Sequence, residues 1–247
     1  MANPRFYYPA TSLQPLALGA SIELSPAAAI HASRALRMQT GDTARLFNGD
    51  GNDYQGELLG IQKNKVVIKI TEVIPVLNES PLKITLVQAI SSGDRMDFTI
   101  QKAVEMGVTS IQPVSSQRSV VKLSGERAEK RREHWQNVVI SACEQSGRAV
   151  VPAVAAPLAL ANWLGQAPAH AMRVTLSPTA TQSLHDLQRP VGEVCLLIGC
   201  EGGLTDDEVG LAASQGFIPV QLGKRVLRTE TAALATIAAL QALWGDY

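Results

Sequence analysis

The residues able to do chemistry in this 247-residue chain gather near its end, in two glycine-centred turns that each follow an apolar run. The first reads Val194-Cys-Leu-Leu-Ile-Gly199-Cys-Glu201-Gly202-Gly203-Leu204-Thr205. The second reads Val220-Gln-Leu-Gly223-Lys-Arg-Val-Leu227-Arg228-Thr229-Glu230-Thr231-Ala232. Glycine lets a backbone turn tightly or lie close to a ligand, so the two turns read as a clasp around a small cofactor. Spacing restricts which one. Gly199-x-x-Gly202-Gly203 is neither the G-x-G-x-x-G dinucleotide fingerprint nor a G-x-x-x-x-G-K-S/T phosphate loop, and Gly223-Lys224 fails the latter because Ile218 stands where its first glycine belongs. A kinase, ATPase or nicotinamide enzyme is disfavoured. Metal catalysis lacks a ligand set, since His31, His134, His170 and His185 are scattered and Cys195-x4-Cys200 has no second pair. A serine hydrolase would carry a G-x-S-x-G elbow, and none occurs.

The elements that must position these turns follow from pattern. Thr205-Asp-Asp-Glu208 is a capping box, so a helix starts directly after Gly202-Gly203 and the turn sits at a strand-to-helix corner. From Leu82 onward, apolar runs over 84–90, 108–114, 172–177, 194–199 and 217–222 alternate with helical segments, the signature of a parallel α/β sheet. Such sheets bind ligands at the carboxyl ends of their strands, where Gly199 and Gly223 fall. A helix is predicted from Asp94, carrying Phe98, Ile100, Ala103, Val104 and Met106 and stopped by Gly107. A longer one follows Ser124 with Trp135, Val138, Val139 and Ala142 at helical spacing, Trp135 being a core residue. Residues 149–171, with Pro152, Pro157 and Pro168, read as loops around a short helix at Trp163. The last helix, over 232–244, is rich in alanine. Small side chains suit close packing or approach of a ligand to its N-terminus, and high helix propensity explains them equally well.

The N-terminal third has another character. A short strand at Arg5-Phe-Tyr7 precedes a helix that Ser25-Pro26 caps and that runs towards Arg37, with Gly41 as its stop. Strands over 43–48, 54–61 and 65–73 follow, joined by Asp50-Gly51 and by Lys63-Asn64, and suggest a small β-barrel with Leu46, Phe47, Leu58, Ile61, Val67 and Ile70 in its core. Arg34 and Arg37 lie three apart on one predicted helix face. With Arg5 they could contact phosphates, although a plain solvated face fits the same pattern. Pro75-Val-Leu-Asn-Glu-Ser-Pro81 breaks the rhythm, and the domain division is set at 1–72 and 73–247.

Bulk numbers are permissive. With 46% hydrophobic and 18% charged residues the chain reads as a soluble globular protein, and no apolar run reaches membrane-spanning length. The opening residues lack a secretory layout, so a cytoplasmic location is the default. Cys143, Cys195 and Cys200 are an odd number of cysteines, which argues against a disulfide framework and reads as buried inert thiols. Net charge is zero, so a polyanion would have to bind through local basic patches.

Five segments, in order, carry a resemblance. Arg5-Phe-Tyr7, Gly93-Asp-Arg-Met-Asp97 with Gln101-Lys102-Ala-Val-Glu105-Met-Gly107, Glu144-Gln-Ser-Gly-Arg148, Ile198-Gly-Cys-Glu-Gly-Gly203-Leu-Thr205 and Leu222-Gly-Lys-Arg-Val-Leu-Arg-Thr-Glu-Thr-Ala232 are similar to the ribosomal RNA small-subunit methyltransferase E family, of the SPOUT class. The resemblance implies an α/β fold: an N-terminal PUA-like RNA-binding barrel and a C-terminal SPOUT domain tied in a deep trefoil knot. It implies a homodimer that uses S-adenosylmethionine to methylate N3 of one uridine, position 1498 of 16S ribosomal RNA, within the small ribosomal subunit. Methylation of another RNA nucleoside, and a non-catalytic RNA-binding or ribosome-assembly role, stay open beside it.

Residue roles come by the same resemblance. Leu176, Leu197, Ile198, Gly199, Glu201, Gly202, Gly203, Leu222, Gly223, Leu227, Arg228, Thr231 and Ala232 are expected around the cofactor. Arg228 is the candidate for stabilising charge on the uracil. Glu230 or Glu201 is the candidate proton acceptor, and Glu230 could instead cap the last helix or pair with Arg228. Arg5, Arg34, Arg37, Arg118, Lys122 and Arg148 are candidate RNA contacts, Arg148 alternatively pairing with Glu144. No metal and no membrane are implied. One residue departs from the family pattern: Cys200 replaces the usual proline of a Gly-Pro-Glu-Gly-Gly turn, which is expected to loosen it by up to about 1 kcal/mol of chain entropy.

Overall fold

The computed structural model describes residues 3–9, 15–62, 65–166 and 172–247. The turn expected at Lys63-Asn64, the loop at Pro168 and His170 lie outside the described residues. The chain divides into two compact units: Met1–Glu79 with Cys143–Val151, and Ser80–Ala142 with Pro152–Tyr247.

The first unit holds β1 (Arg5–Tyr7), β2 (Ser21–Glu23), α1 (Pro26–Ile30), β3 (Thr43–Phe47), β4 (Asn52–Gln62) and β5 (Lys65–Pro75). They form one sheet in the order β1-β3-β4-β5-β2, antiparallel except for β1 on β3. Strand period 2 decides the core. Val66, Ile68 and Ile70 are buried with Leu46, Phe47 and Leu58, which leaves Val67 facing away from them; Ile61 is only partly covered. The predicted Val67 is therefore corrected to its neighbours, because Ile70 and Val67 cannot share one face. Ser25 caps α1 as expected, its hydroxyl accepting from the Ala28 amide at 3.3 Å, but the helix converts to a π-helical turn over His31–Ala35. Arg37 then takes a left-handed φ of 53°, so the turn stops there and not at Gly41. Arg34 and Arg37 consequently do not share a helix face.

Arg5 organises this unit. Its side chain is 9% exposed and donates to both carboxylate oxygens of Asp53, at 2.6 and 3.2 Å, and to the Cys143 carbonyl at 2.6 Å, while its guanidinium lies 4.6 Å from the Phe47 ring centre. A buried ion pair needs this many partners to offset its desolvation. Residues 143–151 are tied in further by Arg148, whose guanidinium donates twice to Glu79, at 2.9 and 2.5 Å, and by Glu144, which accepts from the Tyr7 amide at 3.0 Å. Linear reading could not place this excursion in the first unit, because it rests on contacts more than sixty residues apart.

The second unit contains β6 (Ile84–Ala89), α2 (Arg95–Glu105), β7 (Ser110–Ser115), α3 (Gly125–Ser146, whose last residues belong to the first unit), β8 (Ala153–Val154), β9 (Leu158–Ala159), α4 (Leu160–Leu164), β10 (Met172–Leu176), β11 (Val194–Ile198), α5 (Asp206–Ser214), β12 (Phe217–Val220) and α6 (Thr229–Trp244). All its strands are parallel, in the order β12-β10-β11-β6-β7-β8, with β9 also on β7. Central strands covered on both faces are continuously apolar, as β11 shows: Val194 to Ile198 are all buried. Cys195, Leu197, Val87 and Ala89 pack with α4 and α5, and α6 packs on β6, β11 and α2. Each such aliphatic side chain contributes about 1.5–3 kcal/mol when fully buried. Trp135 is 1% exposed, as predicted, whereas Phe98 is 47% exposed; Met96, Thr99, Ile100, Ala103 and Val104 fill the inner face of α2. The two short strands β8 and β9 escape the sequence pattern, being too brief to show a period.

Candidate functional site

Leu176, Ile198 and Val220 end three neighbouring parallel strands, β10 lying between β11 and β12, so the segments that follow emerge from one edge of the sheet. Ligand sites of open parallel sheets form at this edge. A cleft of about 400 Å³ lined by Ser177, Thr179, Gln182, Val209 and Pro219 opens beside the end of β10.

The turn over residues 199–203 is held from several sides. The Gly203 amide donates to the Cys200 carbonyl at 2.9 Å, with Gly203 at a left-handed φ of 69°. Gly199 has no room for a side chain: a Cβ there would meet the Gly203 Cα and carbonyl carbon and the Leu204 nitrogen at 3.0 Å. Arg118 donates to the carbonyls of Gly202, at 2.8 Å, and Leu204, at 3.2 Å. The predicted capping box is present. Thr205 Oγ1 accepts from the Glu208 amide at 3.2 Å, and Glu208 accepts from the Thr205 amide at 2.9 Å. Cys200 is 4% exposed, and its sulfur accepts from Ser116 Oγ at 3.5 Å. A buried, hydrogen-bonded side chain thus restrains a turn where proline would have restrained φ.

Glu201 points towards the start of α2. Its Oε1 accepts from the Ser92 amide and hydroxyl, both at 2.8 Å, and from Arg95 Nη1 at 3.1 Å. Burial raises its pKa, but the donors of Ser92 and Arg95 outweigh that and hold the carboxyl below the ordinary range. An ionised carboxylate so engaged is a weak proton acceptor.

The second turn places Gly223 at a left-handed φ of 71°, leaves Lys224, Arg225 and Val226 exposed, and half-buries Leu222 and Leu227. Arg228 is the N-cap of α6; it is exposed, and its side chain makes no hydrogen bond or ion pair among the described residues. Glu230 lies in the first turn of that helix. It does not pair with Arg228, and its Oε2 is buried with no partner among the described residues. Thr231 is exposed and Ala232 half-buried. The helix starts three residues earlier than the alanine pattern indicated, because Arg228 to Thr231 look polar and loop-like in isolation. The two turns touch through one hydroxyl: Thr229 Oγ1 donates to the Gly199 carbonyl at 2.6 Å. Gln88 stands behind it, donating to Thr229 Oγ1 at 3.0 Å. Sequence reading missed Gln88, Ser92, Arg95 and Thr229. A glutamine in the otherwise apolar run of β6 was the available signal for the first.

The basic candidates have different fates. Arg5 and Arg148 are buried in the first unit by the ion pairs with Asp53 and Glu79, Arg148 lying beyond the end of α3. Arg34 and Arg37 are exposed. Arg118 is exposed but spent on the carbonyls of the first turn, and Lys122 is exposed with Nζ donating to the Ser116 carbonyl at 3.2 Å. Two of the thiols are held in the protonated form: burial pushes Cys143 up to about 12 and Cys195 up to about 11. Among the described residues no group of three or more His, Cys, Asp or Glu side chains is placed to hold a metal ion, and no helix is long and apolar enough to cross a membrane.

A small β unit followed in the sequence by a parallel sheet with glycine turns at its carboxyl edge matches a known pairing of domains. Residues 78–241 match the RNA methyltransferase domain family and residues 27–71 the RNA methyltransferase PUA domain family. The molecule is therefore a mixed α/β protein with an N-terminal PUA-like domain and a C-terminal methyltransferase domain. More narrowly, the chain is 37% identical over 225 residues to the ribosomal RNA small subunit methyltransferase E of Buchnera aphidicola subsp. Schizaphis graminum, covering 91% of this chain and 92% of that protein. A ribosomal RNA small subunit methyltransferase E from Neisseria gonorrhoeae, solved bound to S-adenosyl methionine, superposes over the full length of both chains with a TM-score of 0.92 at 43% identity. A protein from Legionella pneumophila in complex with the cofactor SAM does so with a TM-score of 0.94 at 39% identity. The chain belongs to the ribosomal RNA small subunit methyltransferase E family.

Proposed function

We propose that this protein methylates N3 of one uridine, position 1498 of 16S ribosomal RNA, in the small ribosomal subunit, with S-adenosylmethionine as methyl donor. The observation that carries the reading is Arg228: in a chain of this family, an exposed guanidinium with no partner among the described residues stands at the end of the second glycine turn, next to the Thr229 that bonds the first.

The chain fits the cofactor. A side chain at Gly199 would collide with the turn's own backbone, and Gly203 and Gly223 adopt conformations that other residues resist, so the cradle depends on glycine at these points. Backbone amides and carbonyls of Leu197, Ile198, Gly199, Leu222, Gly223 and Leu227 hold the cofactor's adenine and methionine parts, Glu201, Gly202 and Gly203 wall the pocket, and Leu176, Thr231 and Ala232 lie around it. When bound, S-adenosylmethionine supplies an electrophilic methyl group on a sulfonium.

Uridine N3 carries a proton at neutral pH and must lose it before or as it attacks. The protein's tasks are to orient the base and to favour its anion. Arg228 stabilises the negative charge that spreads over the uracil carbonyls, as an oxyanion-hole donor does. Of the two carboxylates, Glu201 is engaged by Ser92 and Arg95, so the proton is assigned to Glu230, whose Oε2 has no partner among the described residues.

Residues 1–72 serve as the RNA-binding barrel and 73–247 as the methyltransferase domain, with Arg34 and Arg37 the exposed phosphate contacts of the former. The reading extends to a deep trefoil knot of the SPOUT type, supported by the chain's path: β12 lies outside β10, yet α6 returns to β6 and β11. It extends also to a homodimer, supported by the outer face of α6, where Ala242 and Leu243 are exposed and Leu234, Ala235, Ala238 and Ala239 are half-buried. A helix apolar all round is a buried helix. The site of action is the cytoplasm, where ribosomes assemble. The test is transfer of a labelled methyl group to small subunits that lack the modification, followed by mass mapping of the RNA. One methyl on N3 of the decoding-region uridine is expected; a methyl on any other nucleoside, or none, overturns the reading.

A further inference from the structure

Gln88 occupies the carboxyl end of β6, paired in register with Ile198 of β11, and its side chain is fully buried. Its Nε2 faces three acceptors, the Ala89 carbonyl at 3.0 Å, Thr229 Oγ1 at 3.0 Å and the Gly199 carbonyl at 3.4 Å, while Oε1 is buried with no partner among the described residues. The amide orientation is therefore determined. Reversing it would set a carbonyl oxygen against two backbone carbonyls. Thr229 in turn uses its hydroxyl both ways, accepting from Gln88 and donating to Gly199. Its side chain is 6% exposed.

We infer that Gln88 and Thr229 are positioning residues that fix the two glycine turns against each other. The Gly199 carbonyl sets the plane of the peptide leading into residues 200–203. Thr229 is the first residue of α6 and sets the backbone of its N-cap, Arg228. One hydroxyl bridging these points holds the cradle wall and the proposed charge-stabilising guanidinium in a single frame, and buried Gln88 keeps that hydroxyl's proton directed at Gly199. Preorganisation of this kind acts on the reaction step more than on binding. Neither residue needs to touch RNA or cofactor to exert it. Because the first turn has restraints of its own in Arg118, Arg95 and the Thr205 box, loss of the bridge loosens its relation to the second without unfolding it.

The inference rests on the methyltransferase reading, and the experiment separates the two. Thr229→Val keeps the shape and removes the hydroxyl, Thr229→Ser keeps the hydroxyl, and Gln88→Met removes the donor. For each, kcat, KM and cofactor Kd are measured on small subunits, and amide hydrogen exchange is followed by mass spectrometry in the ligand-free protein. Thr229→Val and Gln88→Met are expected to lower kcat at least about tenfold while cofactor Kd changes less than about threefold, and Thr229→Ser restores most of the rate. The double variant Gln88→Met/Thr229→Val is expected to lose no more than the worse single, since both break one relay. Exchange across residues 199–204 is expected to quicken in both single variants. Wild-type kcat in Thr229→Val, multiplicative losses in the double variant, or unchanged exchange would overturn the inference. A wild-type protein that neither binds S-adenosylmethionine nor transfers a methyl group would instead overturn the proposed function, and the exchange measurement would still decide on the coupling.

Discussion

At the scale of single residues, the site separates groups by whether the fold has already engaged them. Arg95 and Arg118 have partners in the first turn, while Arg228 has none among the described residues. Arg228→Ala is therefore expected to slow methyl transfer on the order of a hundredfold or more, the usual loss for a charge-stabilising donor, with cofactor affinity nearly unchanged. Single-turnover transfer and calorimetric titration measure the two effects separately; equal turnover would remove Arg228 from the catalytic role. Glu201 leads to a pH dependence. Its pKa in the fold lies below the ordinary 4.5, so the stability it contributes is complete above about that pH and is lost as pH falls through the lowered value. Melting curves of the wild type and Glu201→Gln should differ most near neutrality and converge in acid. A difference that grew on acidification would mean that Arg95 and Ser92 do not favour the ionised form.

At the scale of elements, helix starts carry the design. The box between Thr205 and Glu208 begins α5 immediately after the first turn, and Glu208 also accepts from the Gln117 amide at 2.7 Å, joining the helix to the segment beyond β7. Thr205→Ala is expected to cost about 1 kcal/mol, which a thermal melt reads as a fall of roughly 2–4 °C for a chain this long. No shift would show the cap to be redundant. The same turn is intolerant of a side chain in its first position. Gly199→Ala places a methyl group against backbone atoms that cannot swing aside, so cofactor affinity measured by calorimetry should fall at least about tenfold. Wild-type affinity would show the turn to be more plastic than its contacts imply.

At the scale of the molecule, α6 is apolar on both faces. Its inner face is filled by Ala233, Ile237 and Leu240, and its outer face leaves Ala242 and Leu243 exposed and Leu234, Ala235, Ala238 and Ala239 half-buried. The proposed dimer would cover them. Analytical ultracentrifugation should find twice the 26.3 kDa chain mass, and Leu243→Glu should return it to the monomer value; a monomeric wild type would remove the dimer from the proposal.

What the sequence determined by itself was what local periodicity encodes. The continuous apolar runs of the second unit announced a parallel sheet, because strands covered on both faces need no polar side; Thr205-Asp-Asp-Glu208 announced a helix start, because a cap is a bond within four residues; and the order of five short segments indicated the family. Tertiary structure alone decided whatever depends on distant partners. It placed residues 143–151 with the first unit through Arg5, Glu144 and Arg148, and it set the Arg118 guanidinium against the carbonyls of the first turn. It chose between Val67 and its neighbours by the face each presents, and it brought Gln88 within reach of Thr229, 141 positions away. The two glycine turns were visible from the outset as separate motifs. That one threonine hydroxyl joins them is a fact of packing, since a hydrogen bond between residues thirty apart leaves no period in the chain.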